Sequence, residues 1–355
     1  MTGNLIDFSS AKQLVNDYNG AATKIKVEFN GQIYLLKFGQ VLEPDPKKPL
    51  QASYENSPLS EHISSSIYRI CRIPAQETVL GIYDNRKVVA CLDFIENTPR
   101  SQDFRLIEFK NLENSFLGST SSPRKTPELS DLLAIFEEHP ALEGLRQSAI
   151  DRYWDMFIVD SLVGNFDRHT GNWGYILDRQ SNRLCDLAPV YDCASSLYPR
   201  LNEETMLSMI EDPEALSSRV KNFPKAALKV NGKKVHYHDF LLSPEGKQAR
   251  SALVRLMPMI DSRKIHDLIN DLPDATSIQK RFLSALVEAR FEIILVPAHE
   301  LGLKENKQVR IAERARSVEE LAARGREKAD AHNKSLRTDQ TPNFGKSYRT
   351  YSKKI

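Results

Sequence analysis

Two seven-residue stretches, 23–29 and 32–38, alternate polar and apolar positions and meet at Asn30-Gly31. No other feature of the chain constrains its fold as much. Period-two alternation sends successive side chains to opposite faces of a strand. Asn-Gly supplies the positive-φ residues of a tight hairpin turn. The spacing predicts an antiparallel hairpin near the N-terminus. Residues 78–83 and 87–95 predict two more strands, separated by the polar turn Asp84-Asn-Arg-Lys. Before the hairpin lies an amphipathic piece over 11–18.

Beyond about residue 100 the period changes. Apolar spacing predicts helices over 129–138, 142–163, 247–260, 262–271 and 276–296. In the second of these, Tyr153, Trp154, Phe157, Ile158, Ser161 and Leu162 share a face. An earlier helix is predicted around Ile63, Ile67 and Ile70, N-capped by Ser60 and with Glu61 in its first turn. Glu61 is placed to turn inward towards Lys37, or simply to offset the helix dipole. Asn231-Gly232 centres a second hairpin over 228–237, and 41–58 and 118–127 are polar loops rich in Pro, Ser and Lys. The fold class is α+β. The expected divisions are a β-rich lobe over 1–96, a helical lobe over 97–303, a charged helix over 304–331 and a flexible basic tail over 332–355.

Composition narrows the function classes. The chain is 41% hydrophobic and 27% charged with a formal charge of +2, too small to argue for direct nucleic-acid binding. No window has the length of apolar sequence that a membrane span needs. The first residues lack a basic and then apolar leader, and the four cysteines form no C-x-x-C pair. Buried free thiols in a cytoplasmic protein are expected. His236 and His238 would share a strand face, but no third ligand accompanies them, so surface histidines are expected rather than zinc ligands. No G-x-S-x-G elbow or activated cysteine supports nucleophilic catalysis.

The chemistry concentrates in Asn165-Phe-Asp-Arg-His-Thr-Gly-Asn172, followed by Trp173-Gly174. Asp167 and Asn172 are five residues apart, the spacing of the base aspartate and metal-binding asparagine in protein-kinase catalytic loops. The aspartate must reach the attacking hydroxyl, and the asparagine a cation on the transferred phosphate. Twenty residues after Asn172, Leu187-Ala-Pro-Val-Tyr-Asp192 brings a carboxylate, Asp192. Mg²⁺ takes oxygen ligands, commonly one or two carboxylates plus phosphate. Lys37 stands in an apolar strand, where an ammonium needs a partner. Taken singly, Asp167 and Asn172 read as turn formers, Asp192 as an N-cap for 193–197, and Lys37 as an edge lysine reaching water. Together and in this order they point to phosphoryl transfer, with Asp167 as base, Asn172 and Asp192 on the metal and Lys37 on the phosphates.

These two motifs resemble those of the HipA-like serine/threonine kinases of bacteria. Gly20-Ala-Ala-Thr-Lys24 and Tyr34-Leu-Leu-Lys-Phe38 stand where that family has its phosphate loop and ATP lysine. The resemblance spans roughly 18–300 and implies a two-lobed fold related to protein kinases and phosphoinositide 3-kinases. It implies ATP and Mg²⁺ as cofactors. Nucleotide contacts would come from Gly20, Ala21, Ala22, Thr23, Lys24 and Lys37, from a hinge at Leu92, Asp93 and Phe94, and from His169, Asn172, Tyr191 and Asp192. Two departures stand out. With the phosphate loop placed at Gly20, the N-terminal subdomain of the toxin-type members is expected to be absent, as in short stand-alone members. Ala22 and Thr23 replace a Gln and a Glu of the family's loop, which leaves mainly backbone contacts there. The resemblance further implies a protein substrate with a Ser or Thr acceptor and autophosphorylation near the loop, with Ser9, Ser10 and Thr23 as candidates. It also implies a small antitoxin-like partner, with action in the bacterial cytoplasm or after delivery to another cell. The alternatives are a lipid or small-molecule kinase and a non-catalytic nucleotide-binding partner protein.

Overall fold

The computed structural model describes residues 5–15, 24–41, 53–54, 56–118 and 126–338. It opens with β1 (Ile6–Asp7), β2 (Lys12–Leu14), β3 (Lys24–Phe29) and β4 (Gln32–Phe38), then the short β5 (Gln40–Val41) and β6 (Ser53–Tyr54). Helix α1 (Ser57–Ile70), β7 (Thr78–Tyr83) and β8 (Arg86–Leu92) complete the first half. Six of these strands form one sheet in the order β1-β7-β8-β4-β3-β2, with β1 parallel to β7 and the other pairs antiparallel. The β3–β4 hairpin turns at Asn30 and Gly31, both at positive φ, and the β7–β8 turn at Asp84 and Asn85 does the same.

The sheet has two distinct faces because strands alternate. Phe8, Val27, Leu36, Phe38, Val88 and Ala90 make a small cluster on the outer face, where the sheet curls over Phe8. Leu35, Val89 and Cys91 face the other way and join the main core with Ile63 and Ile67 of α1. Lys37 has the parity of Leu35, so it lies on the side that packs against α1.

The chain then runs through β9 (Phe104–Glu108), α2 (Phe109–Leu117), α3 (Leu129–Glu138), α4 (Arg146–Val163), β10 (Gly174–Asp178) and β11 (Arg183–Leu187). Next come α5 (Glu203–Glu211), α6 (Pro213–Asn222), β12 (Lys225–Val230), β13 (Lys233–His236), α7 (Tyr237–Leu242), α8 (Lys247–Leu256), α9 (Ser262–Asn270), α10 (Ser277–Arg290) and α11 (Val296–Thr338). A π-helical turn, Phe291–Leu295, links the last two. Helix α4 is buried on nearly all sides from Tyr153 to Val163, as expected of a helix at the centre of a core. Residues up to Gly302 form one compact unit, and Leu303–Ile355 form a second, helical through Thr338 over its described residues. No helix among the described residues is long and apolar enough to cross a membrane.

Several local expectations change. Within 11–18, residues Lys12–Leu14 form a strand, because the free edge of β3 offers them backbone partners. Helix α1 begins at Ser57 with Asn56 as its N-cap, four residues before the predicted cap Ser60, because Pro58 suits a first helical turn. Strand β9 and helix α2 were not foreseen; β9 forms against β10, on the side away from β11. The helix expected over 142–163 starts at Arg146, after Gly144 at φ 87. His236 ends β13 and His238 lies inside α7, so the two do not share a strand face. Three cysteines are buried, but Cys185 is exposed. The last helix runs through Thr338, into the stretch expected to be a flexible tail, and residues 339–355 lie outside the described part.

Strand β10 crowds against β9 at its first residue. A Cβ on Gly174 would meet the carbonyl oxygen of Ile107 well inside contact distance. Gly174→Ala is therefore expected to cost about 1–3 kcal/mol through overpacking against backbone that cannot move aside. Urea denaturation measures this; an unchanged midpoint would show that the β9–β10 approach yields to an added methyl group.

Candidate active site

The loop between α4 and β10 is anchored at both ends. Gly164 ends α4 in the left-handed region at φ 66, and the Arg290 guanidinium lies 3.2 Å from where a Cβ would be. Asn165 is fully buried. Its Nδ2 donates to Asp160 Oδ1 (2.9 Å), its Oδ1 accepts from the Asp167 N–H (3.0 Å), and its carbonyl accepts from the Tyr237 hydroxyl (2.6 Å). At the other end, the first N–H groups of α2 donate into the loop, from Phe109 to the Trp173 carbonyl and from Lys110 to the Thr170 carbonyl, each at 2.9 Å. These helix-terminal donors have no partner within their own helix, so the loop supplies it.

Inside the loop the backbone closes on itself. His169 N–H donates to the Asp167 carbonyl (2.8 Å) and Asn172 N–H to the His169 carbonyl (2.9 Å). Gly171 N–H donates to His169 Nδ1 (3.1 Å), so the imidazole braces the turn. Asn172 Nδ2 donates to the Asp167 carbonyl at 2.8 Å. That bond leaves Oδ1 as the face Asn172 presents elsewhere, and an amide oxygen is a suitable ligand for a hard cation. The Tyr191 hydroxyl reaches the Gly171 carbonyl at 3.2 Å and ties the second motif to the first.

Lys37 meets its partners from two directions. Its Nζ lies 3.1 Å from Glu61 Oε1 and 3.4 Å from Asp192 Oδ1. Glu61 is fully buried, whereas the Asp192 side chain keeps 44% exposure. Burial alone would lower the Lys37 pKa, but the two carboxylates outweigh it and hold the ammonium well above its ordinary value. Burial likewise pushes the Asp192 carboxyl up, and the charges of Lys37 and Arg168 overcome it, leaving Asp192 below the usual range. The site thus holds a permanent cation beside an ionised, partly open carboxylate. Asp192 sits at φ 55, a strained conformation for a residue with a side chain.

The remaining expected residues fall as follows. Lys24 is the first residue of β3, directly across from Lys37, and burial followed by repulsion from Lys37 lowers its pKa. Gly20, Ala21, Ala22 and Thr23 lie outside the described residues. At the expected hinge, the Leu92 N–H donates to the Glu77 carbonyl (2.8 Å) and the Asp93 N–H to the Ile33 carbonyl (2.9 Å). The Asp93 carboxylate caps the N–H groups of Ile95 and Glu96. Of the three hinge residues, only Phe94 has an N–H without a partner among the described residues, and its ring lies 6.0 Å from that of Tyr191. Among the described residues no three His, Cys, Asp or Glu side chains gather into a metal cage. Asn172 and Asp192, the expected metal ligands, both carry side-chain oxygens, the donor type that Mg²⁺ prefers.

Two contributors to this site were not named beforehand. Arg168 and Asp160 form a buried ion pair at 2.9 Å beneath the loop. The signal was present: Asp160 stands in an otherwise apolar helical run, where a carboxylate requires a partner.

Residues 17–255 match the family model described as the HipA-like C-terminal domain. The serine/threonine-protein kinase CtkA of Helicobacter pylori (strain J99) is 34% identical over 284 residues, covering 79% of this chain and 83% of that protein. The crystal structure of a Helicobacter pylori proinflammatory kinase CtkA matches with a TM-score of 0.73 and 32% identity, covering 85% of this chain and 100% of that one. The curled sheet followed by a helical part is therefore a fold shared with that kinase. HipA of Shewanella oneidensis MR-1, solved with HipB and operator DNA, matches at a TM-score of 0.48 and 13% identity over 84% of this chain and 76% of its own.

The Lys37–Glu61 pair gives a direct test of the electrostatics. Lys37→Met leaves the buried Glu61 carboxylate without its cation and is expected to cost about 3 kcal/mol. Adding Glu61→Gln should recover part of that loss, because the unpaired charge is then gone. Urea unfolding of the two single variants and the double variant measures the coupling; strictly additive losses would contradict it.

Proposed function

This chain belongs to the family of HipA-like C-terminal domains, and on that premise we propose that it is an ATP- and Mg²⁺-dependent protein serine/threonine kinase. The single observation that carries the reading is Lys37 held between buried Glu61 and half-open Asp192. An ammonium fixed by two carboxylates beside an oxygen-ligand pair is a site for polyphosphate and its cation.

In this reading each residue has one task. Lys37 stays charged and binds phosphate oxygens, and Glu61 keeps its ammonium in place. Asn172 and Asp192 would hold Mg²⁺ through side-chain oxygens. When bound, Mg²⁺ neutralises phosphate charge and orients the transferred group. Asp167 accepts the proton of a Ser or Thr hydroxyl as that oxygen attacks. His169 shapes the loop from within. Phe94 offers its N–H to the adenine edge, while Leu92 and Asp93 support the hinge through bonds already made within the protein. Lys24 adds positive charge opposite Lys37, and the residues just before it, Gly20 to Thr23, belong to the phosphate loop. The division into lobes near residues 96 and 303 belongs to the same reading, as do a cytoplasmic bacterial setting, autophosphorylation and a small antitoxin-like partner.

Transfer of labelled γ-phosphate from ATP tests the assignment, with protein and lipid acceptors run side by side. Asp167→Asn and Asp192→Asn are each expected to lower transfer by about 10²–10⁴-fold. Activity within tenfold of the unaltered protein in both variants would refute the site. Labelling of the lipid alone would move the acceptor class from protein to lipid.

A further inference from the structure

Arg168 lies within the Asp167 motif, yet none of its hydrogen bonds goes to the side chains assigned to phosphoryl transfer. It is 5% exposed and lies beneath the loop. Its Nε donates to Asp160 Oδ2 at 2.9 Å and its Nη2 to Asp160 Oδ1 at 3.1 Å. Nη2 also reaches Cys193 Sγ at 3.3 Å. Nη1 donates to two carbonyls, Asn172 at 2.9 Å and Tyr191 at 2.5 Å. A guanidinium carries five N–H donors, and each finds an acceptor here.

The two carbonyls bear on the metal site. One belongs to Asn172. The other belongs to the peptide unit joining Tyr191 to Asp192. A single nitrogen thus bridges the main chain at both residues assigned to the cation. Asp192 occupies the left-handed region, which a residue with a side chain keeps only where its surroundings hold it. The Tyr191 carbonyl, pinned by Arg168, is part of that hold. Asp160 is itself fixed by the Tyr68 hydroxyl at 2.7 Å and by Asn165 Nδ2 at 2.9 Å.

We infer that Arg168, oriented by Asp160, is the positioning residue that sets the spacing between the Asn172 and Asp192 side chains and thereby the divalent-cation affinity of the site. The inference rests on the kinase reading above. Arg168 acts through the backbone of both ligands and touches neither cation nor nucleotide. Lysine cannot replace it, because three donors on one point cannot grip a carboxylate and also bridge two carbonyls.

The test is a thermal-shift titration of the full chain with ADP and increasing Mg²⁺, read as the Mg²⁺ concentration at half-maximal stabilisation. ADP with a chelator in place of Mg²⁺ gives the metal-free reference. Arg168→Lys is expected to raise the Mg²⁺ midpoint by about tenfold or more. The metal-free ADP response should stay as in the unaltered protein. A role in stability alone would lower the melting temperature without moving the midpoint, and that outcome overturns the inference. Arg255→Lys is the control, since its Asp155 partner at 2.8 Å lies on another part of α4. An equal midpoint shift in that control also overturns the inference. If Arg168→Lys does not fold, Tyr68→Phe removes one donor from Asp160 and should raise the midpoint about threefold. An unmoved midpoint there overturns the inference as well. If the unaltered protein shows no Mg²⁺-dependent response to ADP, the kinase reading itself fails.

Discussion

The site depends on a buried ion pair beneath it. Withdrawing Arg168 and Asp160 from water is costly, and the attraction between them offsets that cost only when the remaining donors and acceptors are also satisfied. Both conditions hold. Asp160 accepts from Arg168, Tyr68 and Asn165, and Arg168 spends its other donors on Asn172, Tyr191 and Cys193. The pair therefore ties α1, α4, the Asp167 loop and the Asp192 segment together. Each of these carries a residue proposed for phosphoryl transfer or packs behind one.

A second constraint comes from strand parity. Side chains on β4 alternate, so Lys37 must share the face of Leu35, and that face packs against α1. The helix turns Glu61 to the same side, fully buried. A one-residue slip of β4 would send Lys37 into the outer cluster around Phe8 and leave Glu61 buried without its cation. The register β4–β8, with Lys37 opposite Val89, thus has a chemical consequence as well as a structural one.

Much of this was readable before the fold. The Asn30-Gly31 hairpin, the β7 and β8 strands, α3 and the end of α4 at Gly164 follow from local pattern. For Glu61 the local pattern left two readings, an inward turn towards Lys37 or compensation of the helix dipole; α1 starts at Ser57 with no acidic residue in its first turn, and the fold places Glu61 against Lys37. Other parts were not readable. β9 is a strand because β10 offers it an edge, and its own residues do not alternate clearly. Ser60 gave way to Asn56 because Pro58 fits the first turn of α1. At the expected hinge, Leu92 and Asp93 donate their N–H groups to the carbonyls of Glu77 and Ile33, partners distant in sequence that local pattern does not reveal.

By itself the sequence determined which residues carry oxygen, nitrogen and charge, and at what local spacing. Asp167 and Asn172 are five apart on one loop in any fold that forms that loop. What the tertiary structure alone decided is how Lys37, Glu61 and Asp192 converge from separate segments, and which backbone carbonyls Arg168 bridges. Local spacing is set by bond geometry within a few residues. Convergence is set by which faces bury, and that choice belongs to the packed core as a whole.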